Sequence, residues 1–125
     1  MRLSEKQEEI YVGYMRHDAI VVTSWNSEAI EEAASVARKL GLQVLGPSDC
    51  AMNLTRTLLV CPDGSKEGWE ESDAFDANRS EYIEYLNSVR YDDNSSSLSW
   101  VALSYSSDDR DAKITAHTWQ VPLVE

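Results

Sequence analysis

The sequence predicts an α+β fold, with a single antiparallel sheet and two helices packed on one of its faces. Three observations carry this. Short β-branched runs alternate with two helically periodic stretches in the order strand, helix, strand, strand, helix, strand, strand. That is the split βαβ pattern with one hairpin strand added. Turn chemistry separates the runs without leaving a linker, and no internal repeat is visible. The 125 residues suit one domain with a real core.

The start of the chain is ambiguous. Residues 1–9 are largely polar. Leu3, Ile10 and Tyr14 fit a helical stripe, whereas Ile10, Val12 and Tyr14 alternate as in a strand, and both readings stay open. Ala19 to Thr23 reads as a buried strand on β-branching and length. Asn26 and Ser27 then offer N-cap oxygens, and Glu28, Glu31 and Glu32 favour the positive end of a helix dipole. Ile30, Ala33, Ala37 and Leu40 form the apolar stripe, widened by Val36. Arg38 and Lys39 fill the last turn and Gly41 suits the C′ position.

Leu42 to Leu45 predicts a short strand ended by Gly46 and Pro47, and Thr55 to Cys61 the next. Pro62, Asp63 and Gly64 close it: Pro fixes φ, Asp bonds locally and Gly accepts positive φ. The second helix is expected to begin between Ser72 and Asp76, with Phe75, Tyr82, Leu86 and Val89 on one face and Ile83 alongside. Leu98 to Tyr105 reads as a strand. Leu98, Trp100 and Ala102 share one face, and Val101, Leu103 and Tyr105 the other. Ser106 to Asp111 is a polar hairpin loop, and Ala112 to Val121 its partner strand at a sheet edge.

Charge narrows the function. With 22 acidic against 11 basic side chains the net charge is -11. A general nucleic-acid binder, which needs a basic face, is disfavoured. Acidity serves solubility in one reading and mimicry of nucleic acid, as a decoy for a basic protein, in another. Cys50 and Cys61 lack zinc-site spacing and read as small buried thiols. No signal peptide is visible and no run approaches ~18 apolar residues, so the expectation is a cytoplasmic protein without a membrane partner. The sequons at Asn53, Asn78 and Asn94 then stay idle.

Catalytic signatures are sparse. His17 and His117 belong to no motif, and no GxSxG elbow is present. Asp92 and Asp93, like Asp108, Asp109 and Asp111, lack the spacing of a calcium loop and read as solvated turns. The sequence therefore predicts no catalytic residue, no metal and no cofactor. What remains is a dispersed kit for a small anionic, aromatic ligand. Arg56 and Arg110 match phosphates. Tyr82, Tyr85 and Tyr91 offer stacking surfaces, and Asn94 an amide for a base edge or ribose. Tyr82 lies on the apolar stripe, which favours the core. Tyr85 lies off it, which favours an exposed or interfacial place. Arg56 and Arg110 are equally compatible with surface carboxylate pairs. Trp100 reads as core. Trp25 and Trp69 sit in or near loops, where aromatics anchor partners and would suit a homo-oligomer.

One resemblance spans most of Asp18 to His117. It rests on the run Pro62-Asp63-Gly64-Ser65-Lys66-Glu67-Gly68-Trp69, the helix with Asp76 and Arg79, and Tyr91-Asp92-Asp93-Asn94-Ser95-Ser96 before Trp100. Ala19-Ile20-Val21-Val22-Thr23-Ser24-Trp25 adds to it. These residues resemble a group of small phage proteins similar to the first Thoeris anti-defence family. The resemblance implies a sponge that sequesters cyclic ADP-ribose isomers, made by bacterial TIR-domain enzymes, without cleaving them. Carried onto this chain, it implies that Tyr82 and Asn94 contact the nucleotide and that Arg56 and Arg110 face its pyrophosphate, at a homodimer or higher oligomer. The net charge of -11 would require a locally basic pocket. Two other classes remain: an acidic inhibitor of a host defence nuclease, using Asp73, Asp76, Glu81 and Glu84, and a small nucleotide-signal hydrolase using His17 or His117.

Overall fold

The β-branched run Ile20-Val21-Val22 forms the centre of the sheet. In the computed structural model, which describes residues 16–65, 68–106 and 112–118, it is the middle of β1 (Arg16–Ser24). Four further strands follow: β2 (Val44–Asp49), β3 (Arg56–Val60), β4 (Ser99–Ser106) and β5 (Ala112–His117). Helix α1 (Ser27–Lys39) joins β1 to β2, and α2 (Glu70–Ser88) joins β3 to β4. The strand order is β2-β3-β1-β4-β5 and every adjacent pair is antiparallel. This is the split βαβ arrangement, with β3 between β1 and β2 and the hairpin strand β5 at the edge beyond β4.

Register sorts the strand residues onto two faces, because directly opposed residues point the same way. Ile20 pairs with Val60 and Ala102, and Val22 with Leu58 and Trp100. These residues meet Ile30, Ala33, Ala34 and Ala37 of α1 and Tyr82 and Leu86 of α2 in one core. Among the described residues, no helix lies on the other face. Val21 opposes Leu59 and Val101, Leu59 opposes Leu45, and Leu103 opposes Ile114.

Helix α1 follows its sequence signals. The Asn26 side chain accepts from the Ala29 N–H at 3.1 Å, and Gly41 takes φ +81° just past the end. Helix α2 starts at Glu70, two residues before the earliest expected start. Trp69 occupies its N-cap and makes no side-chain capping bond, so the usual start signal is missing. Glu70, Glu71 and Asp73 in the first turn complement the dipole instead.

Strand β2 also differs from expectation. It runs through Gly46 and Pro47, with a register shift between Leu45 and Ser48. An edge strand tolerates proline, and a bulge absorbs it. The thiols are corrected too, since Cys50 and Cys61 are half-exposed rather than buried. The start of the chain, the loop after Ser106 and positions 119–121 fall outside the described residues. No described helix is long and apolar enough to cross a membrane.

Candidate functional site

Two groups of polar side chains organise the helical side of the molecule. The first surrounds the C-terminal end of β1. Arg56 opens β3 opposite Ser24, and the Ser24 hydroxyl donates to Ser97 O at 2.7 Å. This brings Arg56, Trp25 and the loop before β4 to one end of the sheet.

That loop is tightly held. The Tyr91 N–H donates to Ser95 O at 2.7 Å and the Asn94 N–H to Tyr91 O at 2.9 Å. The Asp93 carboxylate accepts from both the N–H and the hydroxyl of Ser95, which holds it below the usual carboxylate range. Arg90 ties the loop to the fold, with Nη1 donating to Asn94 O and Nη2 to Thr118 O. Asn94 sits at φ +72°, a conformation Asn tolerates better than most residues. Tyr91 and Asn94 are both exposed, Tyr91 by 50%. Trp25 at the same end is 65% exposed. The fold therefore fixes the backbone that carries an aromatic ring and an amide, and leaves both residues open to solvent.

Arg56 itself is already engaged. Its Nη1 meets Glu31 at 2.7 Å, its Nε meets Asp49 at 3.1 Å, and Ser27 and Pro47 O accept further bonds. Both carboxylates are largely exposed, so each pair contributes little to stability and either can give way to another anion.

Tyr82 does not join this group. It is fully buried, its hydroxyl donates to Ala33 O at 3.0 Å, and burial pushes its phenol far up. Ligand contact by Tyr82 is therefore replaced by a core role, set by its place on the apolar stripe. Tyr85 is half-buried against it, with ring centroids 5.9 Å apart. Burial, then the nearby Glu32 carboxylate, push the Tyr85 phenol up to about 12. Arg110 lies outside the described residues. Ser106 and Ala112, on either side of its segment, stand at the opposite end of the sheet from Arg56. The 9 residues of β1 span roughly 30 Å between those ends.

The second group centres on Arg79, which the sequence reading passed over as chemistry. It occupies the buried stripe of α2 and is only 6% exposed. Its guanidinium bonds Asp63 and Asp76 and lies 3.5 Å from Asp18. Asp63 also accepts from the N–H and hydroxyl of Ser65. Burial works against ionisation of Asp63. The Ser65 hydroxyl and the Arg79 guanidinium prevail and hold it below the usual carboxylate range. One cation thus ties the central strand, the turn after β3 and α2 together. Beside it lies a cleft of about 310 Å³ lined by Asp18, Asp76, Ser80, Ile83 and Thr115 among others. The detectable signal was Arg79 itself, a cation at helical spacing from Ser72, Tyr82 and Leu86.

The histidines lie apart from both groups. The His17 ring packs on Tyr105 with centroids 4.9 Å apart, and His117 pairs with Val101 on the same helix-free face. Among the described residues, no three His, Cys, Asp or Glu side chains form a metal-binding set. Comparison with family models, curated proteins and solved structures returns no match to this chain.

Proposed function

We propose that this chain is a non-catalytic binding protein that captures a cyclic ADP-ribose-type nucleotide at the Trp25–Tyr91–Asn94 end of the sheet and holds it intact. The observation that supports this most is the pinned loop. It presents an exposed aromatic and an exposed Asn from backbone that is already ordered, which lowers the entropy cost of capture. In this reading Tyr91 and Trp25 stack on the base or cover the ribose. Asn94 reads a base edge or a sugar hydroxyl. Arg56 exchanges Glu31 or Asp49 for a phosphate oxygen.

Arg110 belongs to the same reading only through a second copy. The residues flanking it stand a sheet length from Arg56, so a pyrophosphate facing both arginines draws them from two chains. Use of two copies also gathers basic groups that one chain of net charge -11 disperses. The sponge reading makes the protein an antagonist of a nucleotide signal, as the resemblance to phage anti-defence proteins implies.

The test is a calorimetric titration of cyclic ADP-ribose isomers into wild type and into the Arg56→Ala, Arg110→Ala double variant. Retention is expected to disappear in the variant while its circular dichroism is unchanged. Undiminished binding by a folded variant would remove the arginines from the site.

The acidic-inhibitor reading has one observation in its favour. Glu70, Glu71, Asp73, Glu81 and Glu84 are exposed on α2, and no basic residue occupies its last turn. Asp76 is not free to join them, being committed to Arg79. This reading requires a basic partner recovered from host lysate at low salt and lost at high salt.

A further inference from the structure

Arg56 is held in two different ways at once. Two of its acceptors are neutral and belong to the frame. Ser27 Oγ, in the first turn of α1, lies 3.2 Å from Nη1, and the main-chain Pro47 O lies 3.3 Å from Nη2. The other two are carboxylates. Asp49, its directly opposed partner on β2, meets Nε at 3.1 Å, and Glu31 of α1 meets Nη1 at 2.7 Å. The arginine side chain is only 25% exposed, against 56% for Glu31 and 87% for Asp49. The guanidinium is therefore fixed in place, while both carboxylates stand open to water and can turn away from it.

From this we infer that Glu31 and Asp49 are specificity-determining residues: they compete with an incoming anion for Arg56 and so reserve it for a multiply charged phosphate group. The inference rests on the binding end proposed above and deepens it, giving the two carboxylates a selective role there without contact to the ligand.

Charge sets the threshold. One guanidinium facing two carboxylates leaves this corner with an excess of negative charge, on a chain that already carries -11. A singly charged anion that replaces one carboxylate gains only what that carboxylate gave up, and it still meets the charge of the other. A ligand carboxylate therefore has no advantage over the residues already in place. A pyrophosphate brings more than one negative charge on several oxygens, so it can accept from Nη1 and Nε together and offset both displacements. Repulsion against the wrong ligand is here the source of selectivity. Stability gives the two carboxylates little other purpose, because open ion pairs of this kind add little to a fold. Ser27 Oγ and Pro47 O keep the guanidinium in position without charge.

The test uses the full chain and inorganic pyrophosphate, with NMR titrations that read weak binding at the amides around Arg56. Wild type is compared with Glu31→Gln, Asp49→Asn and the double variant. The amide side chains keep an oxygen for Arg56 and remove only the charge, so thermal midpoints should match wild type. Pyrophosphate affinity should rise about 3–5-fold in each single variant and roughly 10–25-fold in the double. The same two changes made in an Arg56→Ala background should give no gain, which separates competition for this guanidinium from loss of net charge. Equal affinity in wild type and the double variant overturns the inference. So does a gain that survives in the Arg56→Ala background, or no pyrophosphate binding by any of the proteins. Cyclic ADP-ribose isomers are then titrated into the same set, and the captured isomer should bind the double variant more tightly than wild type. Pyrophosphate binding that tightens as described, with no isomer bound by any protein, supports the selectivity of Arg56 and removes the nucleotide reading alone.

Discussion

Tyr82 brings a hydroxyl into an apolar core, and one carbonyl satisfies it. Removing that hydroxyl takes one donor from Ala33 O, which stays within the hydrogen-bonded ladder of α1. Tyr82→Phe should therefore cost about 0.5–1.5 kcal/mol, read as a lower thermal midpoint, with nucleotide retention unchanged. Lost retention at full stability would return Tyr82 to the ligand site. Arg79 is the stronger case at this scale. Truncation to Ala leaves Asp63 buried without its counter-ion and should cost about 3 kcal/mol, the low end for a broken buried pair because Asp18 and Asp76 keep some solvent. Acid should show the same linkage. The folded pKa of Asp63 is depressed, so its contribution is complete above the unfolded value of about 3.9 and is lost as pH falls through the lower folded value. Urea midpoints between pH 7 and pH 2.5 should fall more steeply for wild type than for Asp63→Asn; parallel slopes would mean that these bonds add nothing. Individual residues were the least legible part of the sequence. Tyr82 showed an apolar register that favoured the core, while the resemblance implied a ligand contact. Arg79 was given no role of its own, because its three carboxylate partners come from β1, a turn and its own helix.

At the scale of elements, Gly46 shapes the irregularity inside β2. It takes φ +93°, and a Cβ there would meet Thr57 O at 2.8 Å and Ser48 N at 2.9 Å, neither of which is a flexible side chain. Gly46→Ala should destabilise by about 1–3 kcal/mol and displace the β2–β3 register, visible as faster amide exchange along β2. Stability equal to wild type would mean that the edge strand shifts freely. The sequence marked Gly46 and Pro47 as the strand's end, because turn residues usually end strands. The chain resumes pairing after them, and only the partner strand β3 could reveal that. Helix α1 was fully legible because its N-cap, stripe, basic last turn and C′ glycine are all local signals. The start of α2 was not, because Trp69 takes the cap position without a capping side chain.

For the whole molecule, the order of elements and the alternation along β4 were enough to give the antiparallel sheet and the side on which its helices lie. They did not give the meaning of the outward positions. Val101, Leu103 and Tyr105 read as one face of a strand. That the face is free of charge across all five strands emerges only when register aligns them. The proposed ligand site was legible in part. Arg56, Tyr91 and Asn94 share one end of the sheet, while Tyr82 belongs to the core and the segment of Arg110 departs from the far end.

The proposed function turns on capture of a nucleotide without cleavage. Its most direct test is a thermal-shift titration with cyclic ADP-ribose isomers, followed by heat release and chromatography of the bound molecule. At about 100 times its dissociation constant, one isomer should add roughly 2.7 kcal/mol, or on the order of 10 °C in midpoint, and be recovered unchanged. No shift with any isomer, or recovery of an opened or hydrolysed product, would contradict it.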